Sequence, residues 1–257
     1  MTARLAVVDL GRRPYDEVLE LQRLLCRQRV TGELSDDVLL LVEHEPVITL
    51  GRGTRPSSLP IPLPALEARG LQVFLVERGG DVTLHAPGQL VGYPILDLTG
   101  WRRDLHWYLR QLEESLILGL ARLAIPAERN PGRTGVWTRG RKIASIGIHV
   151  KQWVTMHGFA LNVTTELSLF DLIVPCGIPG VTMTSVARER PAPTTPLPLP
   201  ALPRAGGQRL WAETRDAIVA AFGEAFEREP EGRAEESLGA IRAAARNPGG
   251  PGIVSEA

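Results

Sequence analysis

In the stretch FDLIVPCGI, Phe170 to Ile178, Cys176 stands between Pro175 and Gly177, directly after an apolar run. A buried cysteine packs as a small hydrophobe, and a turn bounded by proline and glycine offers it little to pack against, which makes this thiol a candidate for chemistry. Lys142 is the second candidate. Only Lys142 and Lys151 among the 29 basic side chains are lysine. Lysine can lose its proton when desolvated and arginine effectively cannot, so acid/base work would select lysine at 142. A surface charge at the start of a strand would account for it as well. A third group lies between Glu77 and Leu90. There Gly79 and Gly80 let the backbone come close to a neighbour, and Asp81 can fix the turn through its own main chain. A tight hairpin explains the glycines alone, but Arg78, Asp81, Thr83, His85 and Gln89 crowd polar groups onto one strand-turn unit, which costs stability unless they are exposed or satisfied. His157, before Gly158, reads as a structural or rim residue. No His/Cys/Asp/Glu spacing makes a metal site, so no metal is expected.

Positioning such residues takes a scaffold. With 257 residues, 44% of them hydrophobic, the chain can bury one sizeable core, and a single domain over residues 1–230 is expected. The helix from Pro14 to Val30 turns Val18, Leu21 and Leu25 to one side and carries Cys26 as packing. A longer one, from Asp104 to Leu123, opens on a capping aspartate. Between and after them, short β-branched or apolar runs punctuated by Gly and Pro read as strands: DVLLLVEH, PVITLG, LQVFLVERG, DVTLH, QLVGYPILDL, TGVWTRG, RKIASIGIHV and MHGFALNV. Clustered strands with few helices imply an α+β domain on a mixed or antiparallel sheet flanked by helices. The proline-dense stretch from Arg190 to Gly207 reads as a surface insertion, the segment from Gln208 as a covering helix, and residues 231–257 as a mobile tail.

Charge and composition exclude several partners. The 29 basic and 29 acidic side chains cancel, which removes the electrostatic footprint of nucleic-acid binding and of attachment to an anionic membrane. No apolar run is long enough for a membrane span, the N-terminus lacks a signal-peptide pattern, and two cysteines make no disulfide framework. A cytoplasmic protein with free thiols is expected.

In one order along the chain, RGGDVTLHAPGQLVGYPILDL, GVW, GRKIASIGIHV, HGFALNV and PCGI closely resemble the octanoyltransferases of protein lipoylation, the lipoyl(octanoyl) transferase family, over roughly Leu5 to Val186. The resemblance implies the catalytic fold of lipoate- and biotin-protein ligases. It also implies a reaction that needs no cofactor, in which an octanoyl group passes from octanoyl-acyl carrier protein to a lysine of the lipoyl domains of 2-oxoacid dehydrogenase complexes and of the glycine cleavage H protein. Cys176 matches the family's acyl-thioester nucleophile and Lys142 its proton-handling partner. Arg78, Gly79, Gly80, Asp81, Val82, Thr83, Leu84 and His85 match the acyl-substrate pocket, as do Ser145, Ile146, Gly147, Gly158, Phe159 and Ala160. His44 matches a histidine near the site.

The chemistry of the residues agrees with the resemblance. Exchange of one thioester for another is nearly isoenergetic, and a lysine ammonium beside a cysteine favours the nucleophilic thiolate. The glycines beside Cys176 and in Ser145–Gly147 are expected to leave backbone N–H groups free for an oxyanion. The alternative is an ATP-dependent lipoate- or biotin-protein ligase. That chemistry needs a phosphate-binding segment and gives the cysteine no task; the basic glycine stretch GRGTRP at Gly51 lies, in sequence, outside the Arg78–Asp81 region.

Overall fold

The computed structural model describes residues 3–191 and 203–235, with the backbone alone over 203–206. Among these residues the strands are β1 (Ala3–Arg13), β2 (Asp37–His44), β3 (Val47–Leu50), β4 (Gln72–Leu75), β5 (Val82–His85), β6 (Gln89–Ile95), β7 (Glu128–Asn130), β8 (Arg133–Thr138), β9 (Arg141–Lys151), β10 (Val154–Asn162) and β11 (Arg228–Gly232). The helices are α1 (Tyr15–Thr31), α2 (Leu63–Glu67), α3 (Leu105–Arg122), α4 (Val186–Glu189) and α5 (Pro203–Ala225).

Eight strands form one sheet in the order β11-β1-β2-β6-β10-β9-β8-β7. β1 runs parallel to β2 and β11, and the remaining pairs are antiparallel. A mixed sheet flanked by helices is the α+β architecture expected from the sequence. Side-chain alternation sorts each strand between two cores. Leu39 and Leu41 of β2 face α3 and α5, whereas Val38, Leu40 and Val42 face α1 with Val18, Leu21, Leu25 and Cys26. Helix α3 starts where expected because Asp104 accepts hydrogen bonds from the N–H groups of His106 (2.9 Å) and Trp107 (3.1 Å).

A second sheet, β4-β3-β5, builds a smaller third core. Phe170 and Ile173 pack into it beside Ile48, Val82 and Leu84. This contact fastens the stretch leading to Cys176 onto the small sheet, while Lys142 belongs to β9 of the large one.

Three boundaries differ from the sequence reading. β1 was not among the expected strands, yet its alternating Leu5 and Val7 against Ala6, Val8 and Leu10 fill both main cores. Helix α5 begins at Pro203, five residues before Gln208, and Arg190 pairs with Glu213 on that helix. The expected insertion is therefore tied down at Arg190 and helical from Pro203; residues 192–202 lie outside the described residues. The expected tail is docked at its start as well. Glu231 and Gly232 belong to β11, the Arg233 N–H donates to Val7 O (2.8 Å), and the Arg233 guanidinium donates to Asp36 (2.7 Å). Arg13 in turn donates to Glu235 (2.6 Å). The domain thus runs at least to residue 235, and residues 236–257 lie outside the described residues. No helix among the described residues is long and apolar enough to cross a membrane.

Candidate active site

Lys142 Nζ donates to Cys176 Sγ at 3.0 Å, and the Ser145 hydroxyl stands 3.8 Å from the same sulfur. Main-chain pairing brings these residues together. Downstream of the cysteine the chain turns back and pairs with β9 at Met183: the Lys142 N–H donates to Thr182 O and the Thr184 N–H to Lys142 O, both at 2.9 Å. The lysine side chain is 1% exposed, and its ammonium lies 5.7 Å from the centre of the Trp137 ring. It enters a hollow at Gly135, where a Cβ would stand 2.8 Å from Lys142 Cε. Any side chain at 135 would displace the ammonium.

The cysteine occupies a left-handed backbone conformation (φ 55°, ψ 22°) that costs a non-glycine residue about 1 kcal/mol and persists only where its surroundings impose it. Here those surroundings are hydrogen bonds. The Val174 N–H donates to Ser58 O (2.9 Å), and Arg55 Nη2 donates to Gly177 O (2.9 Å). Buried Asp81 accepts from the Ser58 hydroxyl (2.7 Å) and from the Val82 N–H (2.7 Å), and it pairs with Arg55 at 3.5 Å. A Cβ at Gly177 would stand 2.2 Å from Asp81 Oδ2, so the turn closes onto the aspartate only with glycine there. One expectation is overturned at this turn. The Gly177 N–H is bonded to Val174 O (2.9 Å) and is not free for an oxyanion.

Beside the sulfur opens a cavity of about 520 Å³, within the usual range for a small-molecule site. Of the pocket residues expected from sequence, Arg78–Thr83, His85, Ser145–Gly147 and Gly158–Ala160 line it. Leu84 does not. Its side chain points to the opposite side of β5 from Thr83 and His85, into the third core. Besides Cys176, Gly132 and His157, the wall also takes in Tyr15, Tyr93, Leu109, Ile148, Arg133, Thr134 and Ile178. These last seven come from six separate segments, and no local pattern distinguishes them from packing residues.

Arg78, 7% exposed, is an internal brace. Its Nη1 donates to Asp81 O (2.7 Å), and its Nη2 donates to Thr49 O (2.7 Å) and to Thr49 Oγ1 (2.9 Å). The Gly79 N–H ties the same loop to Ile148 O of β9 (2.8 Å). The basic glycine stretch, remote in sequence, lies against this loop: the Arg52 N–H donates to Arg78 O (3.0 Å) and the Gly53 N–H to Gly80 O (2.9 Å). Its role in the fold is to support the Arg78–Asp81 turn.

Two histidines that line the cavity, His85 and His157, and His44, which stands behind Tyr93, are held neutral. Burial lowers the pKa of His44 to about 4 and of His85 to about 3, and it lowers that of His157 despite nearby Glu77. His44 bonds Tyr93 OH (2.9 Å) and Arg13 O (3.0 Å), and His85 bonds Gln89 Oε1 (2.8 Å). His157 has φ 56° within β10, and its N–H donates to Gln22 of α1 (2.9 Å). The arrangement therefore offers a thiol with an ammonium at its side and, next to them, a slot whose histidines are uncharged at neutral pH.

Residues 14–197 match the model of the lipoyl protein ligase A/B catalytic domain. Among curated relatives, an octanoyltransferase of Gloeobacter violaceus is 51% identical over 175 residues, covering 68% of this chain and 77% of that protein. An octanoyltransferase of a Nostoc species is 45% identical over 216 residues, covering 84% of this chain and 89% of its own. Among solved structures, lipoate-protein ligase A bound with ATP superposes with a TM-score of 0.65 at 14% identity, covering 95% of this chain and 94% of its own. A bipartite lipoate protein ligase from Thermoplasma acidophilum gives 0.64 at 16% identity, covering 95% and 92%. The structural likeness establishes a shared fold; the sequence identity goes further, and the chain belongs to the lipoyl protein ligase A/B catalytic domain family, among its octanoyltransferases.

Proposed function

We propose that this octanoyltransferase works through an acyl-cysteine intermediate on Cys176, with Lys142 as its proton-handling partner. The reading rests on one observation: the 3.0 Å contact between a buried ammonium and a thiol at the wall of a cavity. The donor in this reading is octanoyl-acyl carrier protein. The Cys176 thiolate attacks the donor's thioester carbonyl, the carbon–sulfur bond to the carrier breaks, and the departing thiolate takes a proton from Lys142. In the second half, the amine of an acceptor lysine attacks the acyl-cysteine. Lys142, now neutral, accepts the proton that this amine loses, and Cys176 is released as thiolate. Atoms and charge balance, with no nucleotide consumed.

The acceptors in this reading are lipoyl domains of 2-oxoacid dehydrogenase complexes and the glycine cleavage H protein, and the reaction takes place in the cytoplasm. The cavity suits the acyl chain. Ile146, Ile148, Phe159 and Ala160 supply apolar wall, and each buried methylene of the chain is worth about 0.8 kcal/mol. Arg78, Gly79, Gly80, Asp81, Val82, Thr83, His85, Ser145, Gly147 and Gly158 complete the slot in this reading.

Intact-mass measurement after incubation with octanoyl-acyl carrier protein, without nucleotide, tests the proposal. One octanoyl group should appear on the wild type and on Cys26→Ala, and none on Cys176→Ala. Acylation that depends on ATP and magnesium would point to the adenylating chemistry of the ligases instead.

A further inference from the structure

Glu189 is a buried carboxylate, 3% exposed, that takes no part in the chemistry above. It accepts four hydrogen bonds: from the Thr184 hydroxyl (2.6 Å), from Arg141 Nε (2.8 Å) and Nη2 (3.0 Å), and from Arg139 Nη1 (2.8 Å). Burial pushes its pKa up, yet the bonds from Thr184, Arg141 and Arg139 win and hold it below the usual carboxylate range. Its donors belong to two segments. Arg139 sits on the β8–β9 turn, Arg141 opens β9 immediately before Lys142, and Thr184 sits on the strap that returns from Cys176. Thr184 is also the residue whose N–H donates to Lys142 O, and its own carbonyl is held by Asn162 (3.0 Å). The carboxylate thus bolts Arg141, the residue before Lys142, to Thr184, whose N–H is bonded to Lys142 O and which lies eight positions along the chain from Cys176 (184 − 176).

We propose that Glu189 is a positioning residue for acyl transfer, holding the strap to β9 so that the Lys142 ammonium and the Cys176 sulfur stay within hydrogen-bond distance. The proposal rests on the acyl-cysteine reading above. A thiol–ammonium pair is sensitive to small displacements, because the hydrogen bond weakens over a few tenths of an ångström while the packing of the sheet barely changes. Arg139 and Arg141 are half-exposed, with side chains 52% and 40% accessible, so water can take over their charges when the carboxylate is removed. Loss of Glu189 is therefore expected to loosen the pair before it unfolds the domain.

The test is a double-mutant cycle read by the pH dependence of iodoacetamide alkylation of Cys176, in a Cys26→Ala background so that one thiol reports. Glu189→Gln should slow alkylation at pH 7 about threefold or more and move the profile toward that of Lys142→Ala. In the Lys142→Ala background it should have no further effect, because it acts through Lys142. Glu189→Asp, which keeps the charge, should recover part of the rate. Should Glu189→Gln fail to fold, Thr184→Val cuts only the link from the carboxylate to the strap and should move the profile in the same direction. A wild-type profile for Glu189→Gln or for Thr184→Val, or equal effects with and without Lys142, would overturn the positioning role while leaving the dyad standing. An unchanged profile for Lys142→Ala itself would overturn the dyad, and this inference with it.

Discussion

Cys176 and Lys142 meet at 3.0 Å across 34 positions of sequence, and neither belongs to the sheet of the other's neighbours. Lys142 is fixed by β9 of the large sheet; the stretch before Cys176 is fixed by Phe170 and Ile173 in the core of the small one. The pair therefore sits at the seam between the two sheets, and the strap at Thr182–Thr184 crosses that seam. A site built at a seam depends on the relative placement of two cores, which makes its tethers as consequential as its reacting groups.

Replacing the lysine separates charge from proton transfer. An adjacent ammonium raises the thiolate fraction of a cysteine, so Lys142→Ala should slow alkylation of Cys176 at pH 7 by roughly tenfold. Lys142→Arg keeps a cation but cannot give up its proton, so octanoyl transfer should fall much further than alkylation. Cys26, 2% exposed among Val18, Leu21 and Leu25, should stay unlabelled in every variant. Labelling of Cys26 in the folded protein, or equal profiles for wild type and Lys142→Ala, would be incompatible with the proposed pair.

Gly147 lines the cavity, and a Cβ there would stand 3.0 Å from Arg78 Cδ and 3.2 Å from Gly79 O. Gly147→Val should therefore intrude on the slot and strain the Arg78 loop. Transfer from octanoyl donors is expected to drop about tenfold or more, with shorter acyl donors less affected, since single-methylene discrimination in an apolar pocket is worth ~10- to 200-fold. Equal rates on short and long donors would place the acyl chain elsewhere.

The site was legible where chemistry restricts residue type, and it was hidden where geometry comes from distant segments. A cysteine at a Pro-Gly turn, a lysine in an arginine-rich chain and a glycine-aspartate turn all stand out locally. Leu84 was misplaced because a contiguous motif was carried over whole, although alternation along β5 turns every second side chain away. The basic glycine stretch at Gly51 was separated from Arg78–Asp81 in sequence yet bonds to it in the fold, because β3 and β5 are neighbours in the small sheet. Glu189 and Arg55 carried no signal at all. Their importance lies in what they hold, and a carboxylate or a guanidinium near a turn is ordinary in sequence. β11 was missed for a related reason: Arg-Glu-Pro-Glu-Gly has no apolar alternation, since as an edge strand it owes its place to main-chain pairing with β1.

That edge strand reverses an expectation about truncation. Removing residues from Glu231 onward deletes part of β11 together with the Arg233–Asp36 and Arg13–Glu235 pairs. The loss should be of order 2 kcal/mol, a fall in Tm of roughly 4–8 °C for a domain of this size. Truncation from residue 236 is the control, and the difference between the two melting curves reports the docked segment. Identical curves would mean that residues 231–235 contribute nothing to stability beyond the pairing of Arg228–Pro230 with β1.

The buried histidines make a pH prediction with a definite sign. In the folded protein His44 titrates at about 4 and His85 at about 3, mainly because burial disfavours the charged ring, against an ordinary value of 6.5. Both are therefore neutral in the native state at pH values where the unfolded chain already binds protons. Stability contributed by neutral burial is complete above pH 6.5 and is lost as the pH falls toward the folded values, with a limiting slope of about 1.4 kcal/mol per pH unit for each histidine. Glu77 acts lower down. The nearby His157 ring, 3.9 Å away, and two hydrogen bonds from Arg23 (2.9 and 3.0 Å) depress its pKa, so its contribution is lost only below the ordinary carboxylate value of 4.5. The window from pH 6.5 to 5 thus belongs mainly to the histidines. Thermal melts across that window should show Tm falling with acidification in the wild type and falling less in His44→Gln, even if the variant starts from a lower Tm for want of the full bond to Tyr93 and Arg13. Parallel slopes for the two proteins would show that the folded-state pKa of His44 is not lowered by burial, and a charge would then form beside Tyr93 and His85, directly behind the wall of the slot.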